Sequence, residues 1–141
     1  MTAQLLKIQQ QLSFHKGQRI LLIEDNDINR MLLSDYLNHF RYKVQSLAGG
    51  SDFISTIKKF QPDLILLDLK LPDIDGYSLL ERIQQEADIS HIPIFIVSAF
   101  AFKEDRERAI KLGARRYFVK PVNLIELILA IQEELACKLF Q

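Results

Sequence analysis

From Arg19 onward, a short apolar run followed by a run of helical period recurs five times. The apolar runs predict strands at Ile20 to Glu24, Tyr42 to Leu47, Leu64 to Asp68, Pro93 to Ser98 and Arg115 to Val119. The intervening runs predict helices at Ile28 to Phe40, Ser51 to Phe60, Tyr77 to Ala87, Lys103 to Leu112 and Leu124 to Leu139. Punctuation agrees with these limits: Gly49-Gly50 precedes the second helix, Pro62 follows it, Gly113 stops the fourth, and Asn123 is placed to cap the fifth. Strict alternation of this kind predicts an α/β fold, a (βα)5 doubly wound sheet of five parallel strands with right-handed crossovers.

The third strand is the most constrained. Leu64-Ile65-Leu66-Leu67 is apolar on both faces, as a strand covered by helices on both sides must be, and it ends abruptly in Asp68. The Pro72, Asp73, Asp75 and Gly76 turn follows. Residues 1–18 stand outside the repeat as an extension carrying Leu5, Leu6, Ile8, Leu12 and Phe14, either a weak amphipathic helix or disordered. Residues 19–141 form one domain, with no linker to suggest another.

In a parallel sheet all strand exits lie on one edge, which is where open α/β sheets bind ligands. The first strand delivers Glu24 and Asp25, the third Asp68, the fourth Ser98 and Ala99, and the fifth Lys120-Pro121. Three carboxylates face a single ammonium, so the cluster repels itself unless a divalent cation joins it. Oxygen-only ligands suit magnesium, which keeps waters that a phosphate can displace. Phosphate bound there bridges the metal, Ser98 and Lys120, and an aspartate attacking phosphorus gives an acyl phosphate.

Taken together, these residues resemble the receiver domain of bacterial two-component response regulators over residues 19–141. The acidic pair of that family matches Glu24-Asp25, its phosphoacceptor Asp68 with Pro72 and Gly76 after it, its switch hydroxyl Ser98 followed by small Ala99, and its Lys-Pro pair Lys120-Pro121. Its switch aromatic matches Tyr117. The resemblance implies the flavodoxin-like strand order 2-1-3-4-5. It also implies that Asp68 takes phosphoryl from a histidine kinase or phosphotransfer protein. Asp25, Asp68 and the backbone carbonyl of Lys70 would then hold Mg2+, with Glu24 acting through water. Ser98, the Ala99 amide and Lys120 would bind the phosphoryl oxygens. Ser98 moving inward would let Tyr117 turn inward, reshaping the face of the fourth helix, fifth strand and fifth helix for a downstream effector or a second copy. A cis Lys120–Pro121 bond is also implied. Such a protein modifies itself and is not an enzyme acting on external substrates.

Two other readings compete. Asp25-Asn26-Asp27 after an apolar strand is similar to the opening of haloacid-dehalogenase-like phosphatases, but that reading leaves Glu24 and the Asp68 loop unexplained and lacks a later acidic pair. The second is a receiver-like interaction module that never becomes phosphorylated, against which the intact Asp, Ser and Lys set argues.

Composition narrows the partners. Eighteen basic and eighteen acidic residues give no net charge and no general attraction to nucleic acid or acidic membranes. The basic cluster Arg106, Arg108, Lys111, Arg115 and Arg116 is interleaved with Glu104, Asp105 and Glu107, which predicts a salt-bridged surface and no nucleic-acid partner. His15, His39 and His91 have no metal-ligand spacing. No apolar run approaches the ~20 residues that span a bilayer, Met1 to Gln11 is not a secretory signal, and the lone Cys137 fits a reducing compartment. The expectation is a cytoplasmic protein with no attached output domain and no membrane association.

In the last helix, Leu124, Leu127, Ile128, Ile131, Leu135 and Leu139 form a stripe for the sheet to bury. Ile125, Leu129, Ala136 and Phe140 form a second stripe, expected to pack the Leu5 to Phe14 segment or, by preference, the same helix of a homodimer partner.

Overall fold

The structure is a computed structural model that describes residues 2–4 and 17–139, with side chains through Ala136. Its elements run β1 (Arg19–Ile23), α1 (Asp27–His39), β2 (Lys43–Leu47), α2 (Phe53–Phe60), β3 (Leu64–Leu67), α3 (Gly76–Gln85), β4 (Ile94–Ser98), α4 (Lys103–Lys111), β5 (Arg116–Val119) and α5 (Leu124–Leu139). All five strands are parallel, in the order β2-β1-β3-β4-β5. The order reverses between β1 and β3, so the exits of those two strands are neighbours.

Strand periodicity of two divides the core into two layers. Leu21, Ile23, Ile65, Leu67, Ile94 and Ile96 pack against Phe53 and Ile57 of α2, Leu79, Leu80 and Ile83 of α3 and Ala109 of α4. The alternate residues Ile20, Leu22, Leu64, Leu66, Phe95 and Val97 pack against Leu33 and Leu37 of α1 and Leu127, Ile128, Ile131 and Leu135 of α5. The three central strands are buried at every position but the exposed Arg19 that opens β1, each large aliphatic contributing about 1.5–3 kcal/mol on burial. By contrast β2, an edge strand, exposes Lys43, Gln45 and Ser46, polar positions that discourage pairing with another sheet.

Helix ends follow their local chemistry. The Asn26 carboxamide accepts from Asn29 N at 2.9 Å, Asp75 from Tyr77 N at 3.3 Å, and Asn123 from Glu126 N at 3.1 Å. Gly113, with φ +110°, ends α4 in a backbone region that other residues rarely adopt. Glu24 and Asp68 stand one residue beyond their strands, yet each keeps a ladder bond, Glu24 N to Leu47 O at 3.0 Å and Asp68 N to Ile23 O at 2.9 Å. The tight exit therefore carries the acids without loosening the sheet.

Three expectations need correction or refinement. Leu124 is 37% exposed and not part of the buried stripe, because it opens the first turn of α5 above the sheet edge; Ala130 is buried on that helix in addition to the predicted positions. Ile125 and Leu129 are half-buried against the α1 and α5 layer, so this chain covers part of the second stripe itself. The acidic partners of Arg115 and Arg116 come from α5, not α4: Arg115 makes a fork with Glu134 at 2.9 and 3.1 Å, and Arg116 meets Glu133 at 3.0 Å. The extension from Leu5 to Phe14, the Leu139 side chain and Phe140 lie outside the described residues. Gly17 and Gln18 already join the domain, through Gly17 N to Arg41 O at 3.2 Å and Lys43 N to Gln18 O at 2.8 Å. Among the described residues no helix is long and apolar enough to cross a membrane.

Candidate functional site

The sheet's carboxyl edge brings the predicted residues together. One carboxylate oxygen from each of Glu24, Asp25 and Asp68 lies within 4.8 Å of the other two. Glu24 and Asp68 are almost fully buried, whereas Asp25 faces solvent. The Lys120 ammonium reaches in from the end of β5 and donates to Glu24 Oε1 at 2.5 Å and Asp68 Oδ2 at 2.8 Å. The Lys120–Pro121 peptide bond is cis, as the resemblance implied. On its other oxygen, Asp68 Oδ1 accepts from the Lys70 amide at 3.1 Å.

Burial sets the protonation balance of this group. It pushes the Glu24 carboxyl above its ordinary value, Lys120 opposes that shift, and the negative Asp68 adds to it. For Lys120 burial opposes the charged form, but the hydrogen bonds to Asp68 and Glu24 outweigh it and raise the ammonium above its usual range. The site therefore holds a permanent cation between two buried acids, with a third acid at the rim. An oxygen-only set of three close carboxylates fits a hard divalent cation, because such ions take carboxylate, carbonyl and water oxygens.

The β4 exit adds the hydroxyl, and β5 beside it adds the aromatic. Ser98 is fully buried and its Oγ accepts from Phe100 N at 3.1 Å. Tyr117 is also buried, and its hydroxyl donates to Phe100 O at 2.7 Å. Burial raises the Tyr117 hydroxyl above the ordinary tyrosine value. Ala99 is exposed at the rim beside them.

Several supporting contacts, those of Arg30 above all, were not anticipated from the sequence. Arg30 Nη1 donates to the carbonyls of Glu24 at 2.9 Å and Asp25 at 3.4 Å, and Nη2 meets Asp27 Oδ1 at 2.5 Å. Its spacing of three from Asp27 on a helix was the available signal. Asp27 itself is exposed and stands outside the cluster formed by Glu24, Asp25 and Asp68. Gly76 seats the loop after Asp68: its N–H donates to Leu69 O at 2.9 Å, and a Cβ there would lie 2.4 Å from Leu69 Cα. Tyr77 donates to Asp105 O at 3.2 Å, under the Arg108 guanidinium 4.0 Å above its ring. His39 packs edge-on against Phe40 and His91 is exposed; neither joins the acidic cluster.

The fold recurs in known proteins. A family model for the response regulator receiver domain matches residues 20–132. The polar-differentiation response regulator DivK of Brucella ovis is 30% identical over 116 residues, covering 82% of this chain and 94% of that protein. A solved structure described as a response regulator from Chloroflexus aurantiacus is 30% identical, with TM-score 0.81, covering 86% of this chain and 99% of the other. The signal receiver domain of a signal transduction histidine kinase from Syntrophus aciditrophicus shares the fold at TM-score 0.78 and 24% identity, covering 85% and 91%. On these matches the chain belongs to the response regulator receiver domains of two-component systems.

Proposed function

We propose that Asp68 accepts a phosphoryl group from a phosphohistidine on a histidine kinase or phosphotransfer protein, and that the modified site alters the face of α4, β5 and α5 for an effector. The observation that carries this reading is the Asp68 carboxylate itself, buried at the exit of β3 and held by the Lys70 amide and the Lys120 ammonium beside two further acids. In the transfer an Asp68 oxygen bonds to phosphorus as the donor's P–N bond breaks, and the imidazole nitrogen keeps the electron pair. Lys120 stays at the site to pair with the incoming negative charge. Magnesium held by the Asp25 and Asp68 carboxylates and the Lys70 carbonyl, with Glu24 acting through water, supplies further charge neutralisation when bound.

Ser98 and the Ala99 amide then take phosphoryl oxygens. For Ser98 this means exchanging the Phe100 amide for a new partner. Exposed Ile28, Met31 and Leu32 on α1, with Leu124 across an apolar groove that reaches Lys120 and Glu24, give a donor protein an apolar surface to rest on beside the reacting carboxylate. The chain turns over no external substrate on this reading; its chemistry begins and ends on Asp68.

The test is intact mass after incubation with magnesium and acetyl phosphate. The wild type is expected to gain one hydroxylamine-labile phosphoryl group, and Asp68→Asn or a chelated sample none. An adduct that persists in Asp68→Asn would refute the assignment. A wild type that neither forms the adduct nor binds a stable phosphoryl mimic would favour a module that works without phosphorylation.

A further inference from the structure

The segment between β3 and α3 carries Lys70, and its two ends are fixed by its own backbone, Asp68 N bonding to Ile23 O at 2.9 Å and Gly76 N to Leu69 O at 2.9 Å. Leu71 and Ile74 of its middle pack against the core, and one carboxylate ties it by hydrogen bonds to a different part of the chain. Asp73 accepts from Gly50 N with both oxygens at 3.0 Å and from Ser51 N at 2.8 Å. These donors lie in the segment between β2 and α2, whose Gly49-Gly50 pair makes the seat. A Cβ on Gly49 would stand 2.8 Å from Asp73 Oδ1, and one on Gly50 would stand 2.4 Å from Ile74 Cγ2. Two consecutive residues without side chains are therefore what lets the Asp73-Ile74 pair close onto the neighbouring loop. The Gly50 N–H holds the Asp73 carboxyl below its ordinary value, so it remains an acceptor as the solution is acidified.

We propose that Asp73 is a positioning residue for the reacting site: by fastening the β3–α3 segment to Gly50 and Ser51, it fixes the backbone at Lys70, whose amide orients Asp68 and whose carbonyl completes the metal ligands. The inference rests on the phosphoacceptor reading of Asp68. Groups that orient a ligand from behind carry a large share of a metal site's affinity, and their loss costs about 10–100-fold. Asp73 touches neither the acidic cluster nor the phosphoryl position. Its effect must therefore pass through the order of the segment, and it appears in metal affinity more than in the chemical step.

The experiment uses the full chain and the variants Asp73→Ala, Asp73→Asn and Gly49→Ala, the last disturbing the same seat from the opposite side. Magnesium affinity is measured by calorimetry, hydrogen exchange is followed in residues 69–75, and phosphorylation by acetyl phosphate is timed at low and saturating magnesium. Asp73→Ala is expected to weaken magnesium about tenfold, to speed exchange in the segment, and to recover a near wild-type phosphorylation rate once magnesium saturates. Gly49→Ala should reproduce this, and Asp73→Asn, which keeps one acceptor oxygen, should fall between. Unchanged magnesium affinity in Asp73→Ala and Gly49→Ala overturns the proposal, whether or not exchange quickens, because the tether would then be structural only. A wild type that binds no magnesium would instead remove the phosphoacceptor reading and this inference with it, so the two failures are told apart by the wild-type titration.

Discussion

Replacing Lys120 by methionine isolates the electrostatics of the site. The thioether keeps a stem of similar length and removes the charge. In the wild type Nζ stands 2.5 Å from Glu24 Oε1 and 2.8 Å from Asp68 Oδ2, with the Lys120 side chain 22% exposed and the two acids 5% and 6%. Without it, two buried carboxylates with oxygens within 4.8 Å confront each other. At an effective dielectric near 20, unit charges at that separation repel by about 3.5 kcal/mol. The pair can escape by binding a proton, which costs about 1.4 kcal/mol per pH unit above the ordinary carboxyl value of 4.5, so the two routes cost similar amounts at about pH 7. Against this, an ammonium no longer has to be stripped of water, which returns part of the loss. The expected net destabilisation is about 2–3 kcal/mol near pH 7.5 and under about 1 kcal/mol near pH 5, where a proton stands in for the ammonium.

The sign follows from the shifts. Glu24 is already raised in the folded chain and rises further in the variant, so its contribution is full below its ordinary 4.5 and is lost as pH climbs through the folded value. The wild type keeps its Lys120 contribution throughout this window, because that group is raised from an ordinary 10.5. Thermal unfolding at a series of pH values reads the difference. At about 3 °C per kcal/mol for a chain of this size, the variant should melt about 8 °C lower near pH 7.5, with the gap closing toward pH 5. Millimolar magnesium should narrow the gap near pH 7.5 by supplying the missing positive charge. A gap that stayed constant between about pH 5 and pH 8 would refute the argument, since only the protonation of a confronted carboxylate makes it vary.

Two further outcomes are expected. Gly76→Ala gains about 1 kcal/mol of helix propensity but drives a Cβ to within 2.4 Å of Leu69 Cα and 2.9 Å of Asp68 O, all backbone, so the clash of about 1–3 kcal/mol or more should win. Calorimetry should show a fall of several degrees; a rise would show that the loop gives way freely. All four tyrosines are raised chiefly by burial, Tyr77 to about 12, so tyrosinate absorbance near pH 10 should be well under half of its final value and should grow only as the fold is lost. Half-ionisation near pH 10 with circular dichroism intact would contradict those burials.

The elements and the sheet edge were legible because their signals are local. Four aliphatics ending in Asp68, an acid pair closing β1 and Lys120-Pro121 closing β5 each sit within a few residues of sequence, and parallel topology alone then gathers them on one edge. What the sequence concealed was pairing across elements. Nothing in periodicity links Asp73 to Gly50, 23 residues away, because a carboxylate in a Pro-Asp-Ile-Asp-Gly turn is equally suited to capping its own helix, which is what Asp75 does. The partners of Arg115 and Arg116 were misplaced for the same reason. Glu133 and Glu134 reach them only once α5 is laid against the edge of the sheet. Leu124 fits the apolar stripe by angle but is the first residue of α5 and stays exposed.

The hydrogen bonds around Phe100 show how a local event could leave the site. Its N–H is held by Ser98 Oγ and its carbonyl holds the Tyr117 hydroxyl, so one residue joins the proposed phosphoryl contact to the buried aromatic of β5. On the proposed reading, Ser98 turning to a phosphoryl oxygen releases the Phe100 amide, and the freed peptide no longer fixes the acceptor on which Tyr117 depends. Each of these bonds is worth about 1 kcal/mol net. Losing or re-aiming both shifts a two-state equilibrium by about thirtyfold. That is a modest bias, but on the same reading it falls on a packed interior, and close-packed interiors repack between discrete arrangements rather than deforming smoothly. The adjoining surface has apolar groups to reveal or withdraw, since Phe102, Ile110 and Val119 are exposed around the same α4 and β5 elements. A bias of this size is enough to set partner affinity while leaving the fold, whose layers of buried aliphatics lie beneath, unaffected.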